Sequence, residues 1–162
     1  MSAFTDKLVE ACKAEHKRFT KPNGKQGKET EEGDGVSPNC SKIVGEYWKK
    51  ININHLEGKT KDANGKRPPW SAAFISFVVR KAGAGDTFKY AQAHQTYIRQ
   101  AILAAEDGVA GTAYVARRVD KRAPQVGDLL AKGRESAKNF TYDKALAKAR
   151  MKKADDQAYS SH

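Results

Sequence analysis

Ser71 and His94 are the two residues whose types and surroundings suit acyl-transfer chemistry. Ser71 follows Pro68-Pro69-Trp70 and opens the run Ala72-Ala73-Phe74-Ile75-Ser76-Phe77-Val78-Val79. A serine hydroxyl becomes a useful nucleophile only when a base takes its proton. Neutral histidine is the common base near physiological pH. The start of a helix adds partial positive charge and unpaired N–H groups, which ease ionisation and can hold an oxyanion. Serine at that place is also an ordinary helix cap, and spacing alone favours the cap. His94 precedes Ile98 by one helical turn, so both share an inward face. A hydrogen-bonded core histidine fits that position as well as a general base does. Glu46 and Asp86 are candidate orienting carboxylates. His16 and His55 read as surface residues, and His162 ends the chain. The four histidines match no metal-ligand spacing, so no metal and no cofactor are expected.

The elements that must position this pair follow from periodicity and capping. Residues 70–82 read as a central buried helix, with Pro69 at its start and Gly83 or Gly85 at its left-handed end. Trp70, Phe74, Ile75, Val78 and Val79 are its expected core residues. Residues 5–19 form an amphipathic helix with Thr5 as N-cap and a Phe4–Val9 staple. Residues 38–51 form a second helix, with Ser37 as cap, Pro38 in its first turn and a stripe of Cys40, Ile43, Val44, Tyr47, Trp48 and Ile51. Residues 20–36 are a long polar loop of the kind that can border a cleft. Residues 52–69 are loop, with a turn at Asn64-Gly65. Residues 90–106 look helical. Residues 114–119 read as a strand, and residues 124–131 as a turn entering a second strand. Residues 141–158 make a peripheral helix with Leu146 and Met151 as anchors. If the next helix runs antiparallel to the central one, His94 reaches Ser71 only where residues 83–93 run back along it.

The chain has 162 residues, enough for one domain and one core. Its net charge is +11, which favours anionic partners such as cell-wall polymer, acidic headgroups or nucleic acid. No apolar run reaches the length of a membrane span, and no signal-peptide pattern opens the chain. Delivery to the periplasm or cell wall by a secretion system or phage lysis would then be needed. Cys12 and Cys40 fit no zinc motif and read as buried free thiols, pairing only if the first two helices meet.

Trp70-Ser71-Ala72-Ala73-Phe74-Ile75-Ser76-Phe77, Ala93-His94-Gln95-Thr96-Tyr97-Ile98 and Val44-Gly45-Glu46-Tyr47-Trp48 resemble the bacterial and phage family "domain of unknown function 2272". The resemblance covers most of residues 5–135. A more distant likeness is to papain-like cell-wall peptidases of the NlpC and CHAP types. It implies an α+β papain-like domain with a buried central helix and a small antiparallel sheet. Trp70-Ser71-Ala72 stands where those peptidases carry tryptophan-cysteine-alanine, so Ser71 replaces the cysteine. Gly127-Asp128-Leu129 stands at their turn into a strand, and His162 is the only residue left for their strand histidine. The chain would then be truncated, or the resemblance ends before that strand. The implied site is Ser71 with His94 or His162 as base, and with Trp70 and Asp128 as substrate contacts. Asp128 reads more readily as a turn residue than as a triad member.

Three readings follow. The first is a peptidoglycan-directed hydrolase-like domain of peptidase or amidase type, from a bacterial toxin or phage lysin, with an immunity or delivery protein as partner. The second is a catalytically degenerate cell-wall-binding or structural phage component. The third is a basic protein binding nucleic acid without specificity, which ranks lowest. The charge predicts salt-sensitive retention on an anionic polymer. Pull-down on purified peptidoglycan and on DNA, each at low and high salt, should show stronger retention on peptidoglycan. Strong, sequence-selective retention on DNA would reverse that order.

Overall fold

The structure, a computed structural model, describes residues 2–19, 38–133 and 139–151. It contains five α-helices among them: α1 (Ala3–Phe19), α2 (Pro38–Lys50), α3 (Ser71–Ala82), α4 (His94–Glu106) and α5 (Tyr142–Arg150). A short 3-10 turn, Gly85–Thr87, lies between α3 and α4. Helices α1 and α2 both pack on α3, and α5 packs on α4.

Local chemistry explains the helix limits. α1 starts earlier than expected, because Ser2 rather than Thr5 caps it, its Oγ accepting from Thr5 N–H at 3.2 Å. α3 closes at Gly83 with φ 94°, a left-handed value that glycine tolerates. Gly83 N–H donates to Arg80 O and Ala84 N–H to Val79 O, the paired bonds that satisfy a helix's last carbonyls. α5 starts at Thr141, whose hydroxyl accepts from Lys144 N–H. The Asn64-Gly65 turn forms with Gly65 at φ 75°. Asp62 Oδ1 accepts there from the N–H groups of Asn64 and Lys66. The expected cap Ser37 and the loop 20–36 lie outside the described residues.

The main core joins Leu8 and Ala11 of α1, Ile43, Val44, Tyr47 and Trp48 of α2, and Ala72, Ala73, Phe77, Val78 and Val79 of α3. A smaller cluster joins Ile102 of α4 to Ala145 and Ala149 of α5, and Ile98 packs against both clusters. Of the expected α3 core, Val78 and Val79 are buried, whereas Trp70, Phe74 and Ile75 are half-buried. Leu146 does anchor α5, but Met151 is exposed. Glu15 is 1% exposed. Its carboxylate accepts from Tyr47 Oη at 2.9 Å, Arg18 at 2.9 Å and Lys81 Nζ at 3.3 Å, so one buried charge ties α1 to α2 and α3. Cys12 and Cys40 are half-buried and are not joined in a disulfide. Burial pushes the Cys12 thiol above its ordinary pKa.

The α+β papain-like expectation is overturned: the described residues are helical and contain no strand. The two expected strands are irregular chain. Ala113 N–H donates to Thr87 O and Ala116 N–H to Ala101 O, so a turn and α4 take bonds that a ladder would have used. Tyr114 tucks against Phe4 and Phe88. The alternate residues face outward, with Val119 74% and Leu130 73% exposed. Two short strands without a third would be marginal in any case.

α4 begins at His94, not at residue 90. Ala91 is held by Ser76, whose hydroxyl donates to Ala91 O at 3.0 Å and accepts from Ala91 N–H at 3.1 Å. Those bonds keep residue 91 out of a helix.

Phe77→Ala should destabilise the protein by about 3–5 kcal/mol, the range for emptying a buried aromatic site. Val119→Ala should change stability by no more than about 0.5 kcal/mol, as surface changes do. Denaturant unfolding of both variants checks the contrast.

Candidate active site

Ser71 is the first residue of α3, and Trp70 before it makes no side-chain capping bond. The Ser71 hydroxyl faces His94 instead of closing the helix, with Oγ to Nε2 at 2.8 Å. The contact spans 23 residues of sequence. It forms because residues 88–93 run back along α3. Tyr90 lies under the Arg80 guanidinium, 4.3 Å from carbon to ring centre, near the C-terminal end of α3. Ala91 is pinned at Ser76, near its middle. His94 then arrives at the first turn. Both site side chains are half-buried.

His94 opens α4 as Ser71 opens α3, so two helix N-termini meet at the pair. In α3 the first intrahelical donor is Phe74 N–H, to Trp70 O at 2.9 Å. The N–H groups of Ser71, Ala72 and Ala73 therefore have no acceptor within their own helix. Both dipoles favour negative charge beside Ser71.

Tyr97 completes the arrangement. Its hydroxyl contacts His94 Nδ1, the ring nitrogen opposite Ser71. The phenol is buried, and desolvation raises its pKa well above the ordinary value, so it stays protonated. Phe88 stacks on its ring at 5.1 Å. The one phenolic proton sets the histidine's role. If Tyr97 accepts from Nδ1–H, Nε2 presents a lone pair to Ser71. If Tyr97 donates, Nε2 carries the proton and donates to Ser71. The residue type at 97 was in view, but not its role; its place three residues after His94 on one helix face is the signal that reveals it.

The other expected site residues lie elsewhere. Trp70 is a packing residue: its ring stacks on Phe19 at 5.7 Å and meets Tyr47 and Phe74. One edge lines a small recess with Trp48, Glu57, Thr60 and Arg67. Asp128 is exposed and closes its own turn, accepting from Gln125 N–H at 2.8 Å. Its neighbour Gly127 lies against Thr5, whereas Trp70 lies against Phe19. Thr5 and Phe19 are about 20 Å apart along α1 at the usual helical rise, so Asp128 is not beside Ser71. Glu46 pairs with Arg18. Asp86 sits past the C-terminal end of α3, opposite Ser71. His55 is exposed, and His162 lies outside the described residues. No group of three His, Cys, Asp or Glu residues among the described residues could hold a metal ion. None of the described helices is long and apolar enough to cross a membrane.

Fold and site together define an α-helical protein with a serine–histidine pair where two helices begin. Residues 40–162 match the family described as "Uncharacterized protein conserved in bacteria (DUF2272)", and the chain belongs to that family. The match leaves out α1 and takes in the C-terminal segment. Comparisons with curated proteins and with solved structures find no match.

Tyr97→Phe should keep the fold and change the His94 tautomer. Nitrogen-15 shifts of the His94 ring, compared with wild type, check this. The phenol holds one tautomer, so its loss should move the populations toward an even mixture.

Proposed function

We propose that the chain is a hydrolase-like domain of the amidase or peptidase type, directed at the bacterial cell wall, with Ser71 as nucleophile and His94 as base. The observation that carries this reading is the 2.8 Å contact between Ser71 Oγ and His94 Nε2 at the start of a buried helix. In the reaction, Ser71 Oγ attacks the carbonyl carbon of an amide while His94 Nε2 takes the hydroxyl proton. The first-turn N–H groups of α3 face the oxyanion that forms. His94 then passes the proton to the leaving amine, and the C–N bond breaks. Water, deprotonated by His94, attacks the acyl carbon; the bond to Ser71 Oγ breaks, the acid leaves, and His94 returns the proton to Oγ. The +11 charge and the paired helix N-termini support a substrate bearing carboxylates, as peptidoglycan stem peptides do.

A second reading rests on Tyr97. Its hydroxyl has His94 as partner. A buried phenol that accepts there leaves its own proton unpaired, a cost of about 1–3 kcal/mol. Donation to Nδ1 avoids that cost and puts the ring proton on Nε2, facing Ser71. That state binds a ligand through hydrogen bonds but takes no proton. It supports a degenerate cell-wall-binding domain.

Peptide release from purified peptidoglycan separates the two. Wild type should release peptide, and Ser71→Ala and His94→Ala should each lower the rate by at least about a hundredfold, as loss of an acid–base partner does. Equal release by all three proteins would sink the assignment of nucleophile and base. Binding by wild type without release would establish the second reading.

A further inference from the structure

We infer that α1 is a positioning clamp for the Ser71–His94 pair, acting through the stack of Phe19 on Trp70. The inference rests on the reading of that pair as the reactive site.

Trp70 is the residue just before Ser71, and no side chain caps the helix it begins. The start of α3 is therefore held by what packs on Trp70. Phe19, the last residue of α1, lies nearly parallel to the indole, with 7° between planes and 5.7 Å between centres. Phe19 also stacks on Tyr47 of α2, which touches Trp70 in turn. The three rings form one aromatic group drawn from α1, α2 and the start of α3.

α1 is fastened by a buried charge as well as by these rings. Glu15 lies one turn before Phe19 and binds Tyr47 and Lys81. Arg18 bridges Glu15 and Glu46. The carboxylate thus fixes the C-terminal turn of α1 against both α2 and α3, and Phe19 is set against Trp70 as a result. α1 lies outside the residues that match the family, which start at 40. Phe19 acts through Trp70, so it is a positioning residue and not a catalytic one.

The test uses the full chain with Phe19→Leu, Phe19→Ala and Phe19→Tyr. Two quantities are read: the His94 ring nitrogen-15 shifts, assigned with His94→Gln, and the rate at which a fluorophosphonate probe modifies Ser71. Thermal unfolding serves as the control for folding. Ser71→Ala defines the Nε2 shift that follows loss of the contact. Phe19→Leu keeps an apolar side chain but loses the planar stack. It should reproduce that shift and slow probe modification by about a hundredfold, the effect of a misplacement near 1 Å. Phe19→Tyr should restore both to wild-type values. Phe19→Leu with an unchanged ring shift would overturn the clamp, whatever its melting temperature. If Phe19→Ala fails to fold, Phe19→Leu alone decides the question. Absence of probe modification in wild type would defeat the hydrolase reading, while the ring shifts would still decide for or against the clamp.

Discussion

Ser76 is completely buried in the middle of α3, and its hydroxyl bonds both backbone groups of Ala91. The geometry of the site depends on that register. Ser76 lies five residues after Ser71, about 7.5 Å along the helix axis. Ala91 lies three residues before His94, and three extended residues span at most about 10 Å. A return segment pinned at Ser76 therefore reaches the start of α3 with little slack. Pinned a turn later, it would fall short. Arg80 over Tyr90 holds the same segment nearer the C-terminal end of the helix. Each buried backbone group left without a partner costs about 1–3 kcal/mol, which is why a polar residue interrupts an otherwise apolar run.

The second constraint is a charge. A carboxylate buried as deeply as Glu15 is costly unless several donors meet it. Three do, from α1, α2 and α3, and two of them are cations. In a chain of net charge +11 this arrangement also places Arg18 and Lys81 beside a negative group and not beside one another. Removing one donor would leave the others but loosen one helix. The carboxylate thus acts as a joint between helices, and the aromatic group of Phe19, Tyr47 and Trp70 extends that joint to the first turn of α3.

Much of the helical framework was legible because it is written locally. The stripe Ile43, Val44, Tyr47, Trp48 and the left-handed Gly83 are short-range signals, and the helices they mark are present. The start of α4 was not legible. Tyr90–Ala93 is compatible with helix, and only the distant Ser76 excludes it. The strands failed for a related reason. Tyr114–Val119 alternates as a strand does, but alternation records only which residues face inward. It does not say whether the backbone bonds go to another strand or, as for Ala113 and Ala116, to a turn and a helix. At the site, Ser71 and His94 were legible by chemical type. Their contact depended on the direction of residues 83–93, which no periodicity encodes. Tyr97 went unread because its role comes from the histidine, not from its own surroundings.

The remaining question is which property of the site governs Ser71. Two helix N-termini meet there, and each favours negative charge by about 0.3–1 kcal/mol. Together they amount to about a thirtyfold effect on an equilibrium at most. That is useful for seating a carboxylate. It is far too little to ionise a serine hydroxyl, which is much less acidic than the cysteine thiol used by papain-like enzymes. The field cannot replace the base. In the proposed reaction, activation of Ser71 comes from the lone pair of His94 Nε2, and the availability of that lone pair is decided on the far side of the ring, by the direction of a single proton between Nδ1 and Tyr97. The helices assemble the site, but the buried phenol determines whether it can take a proton.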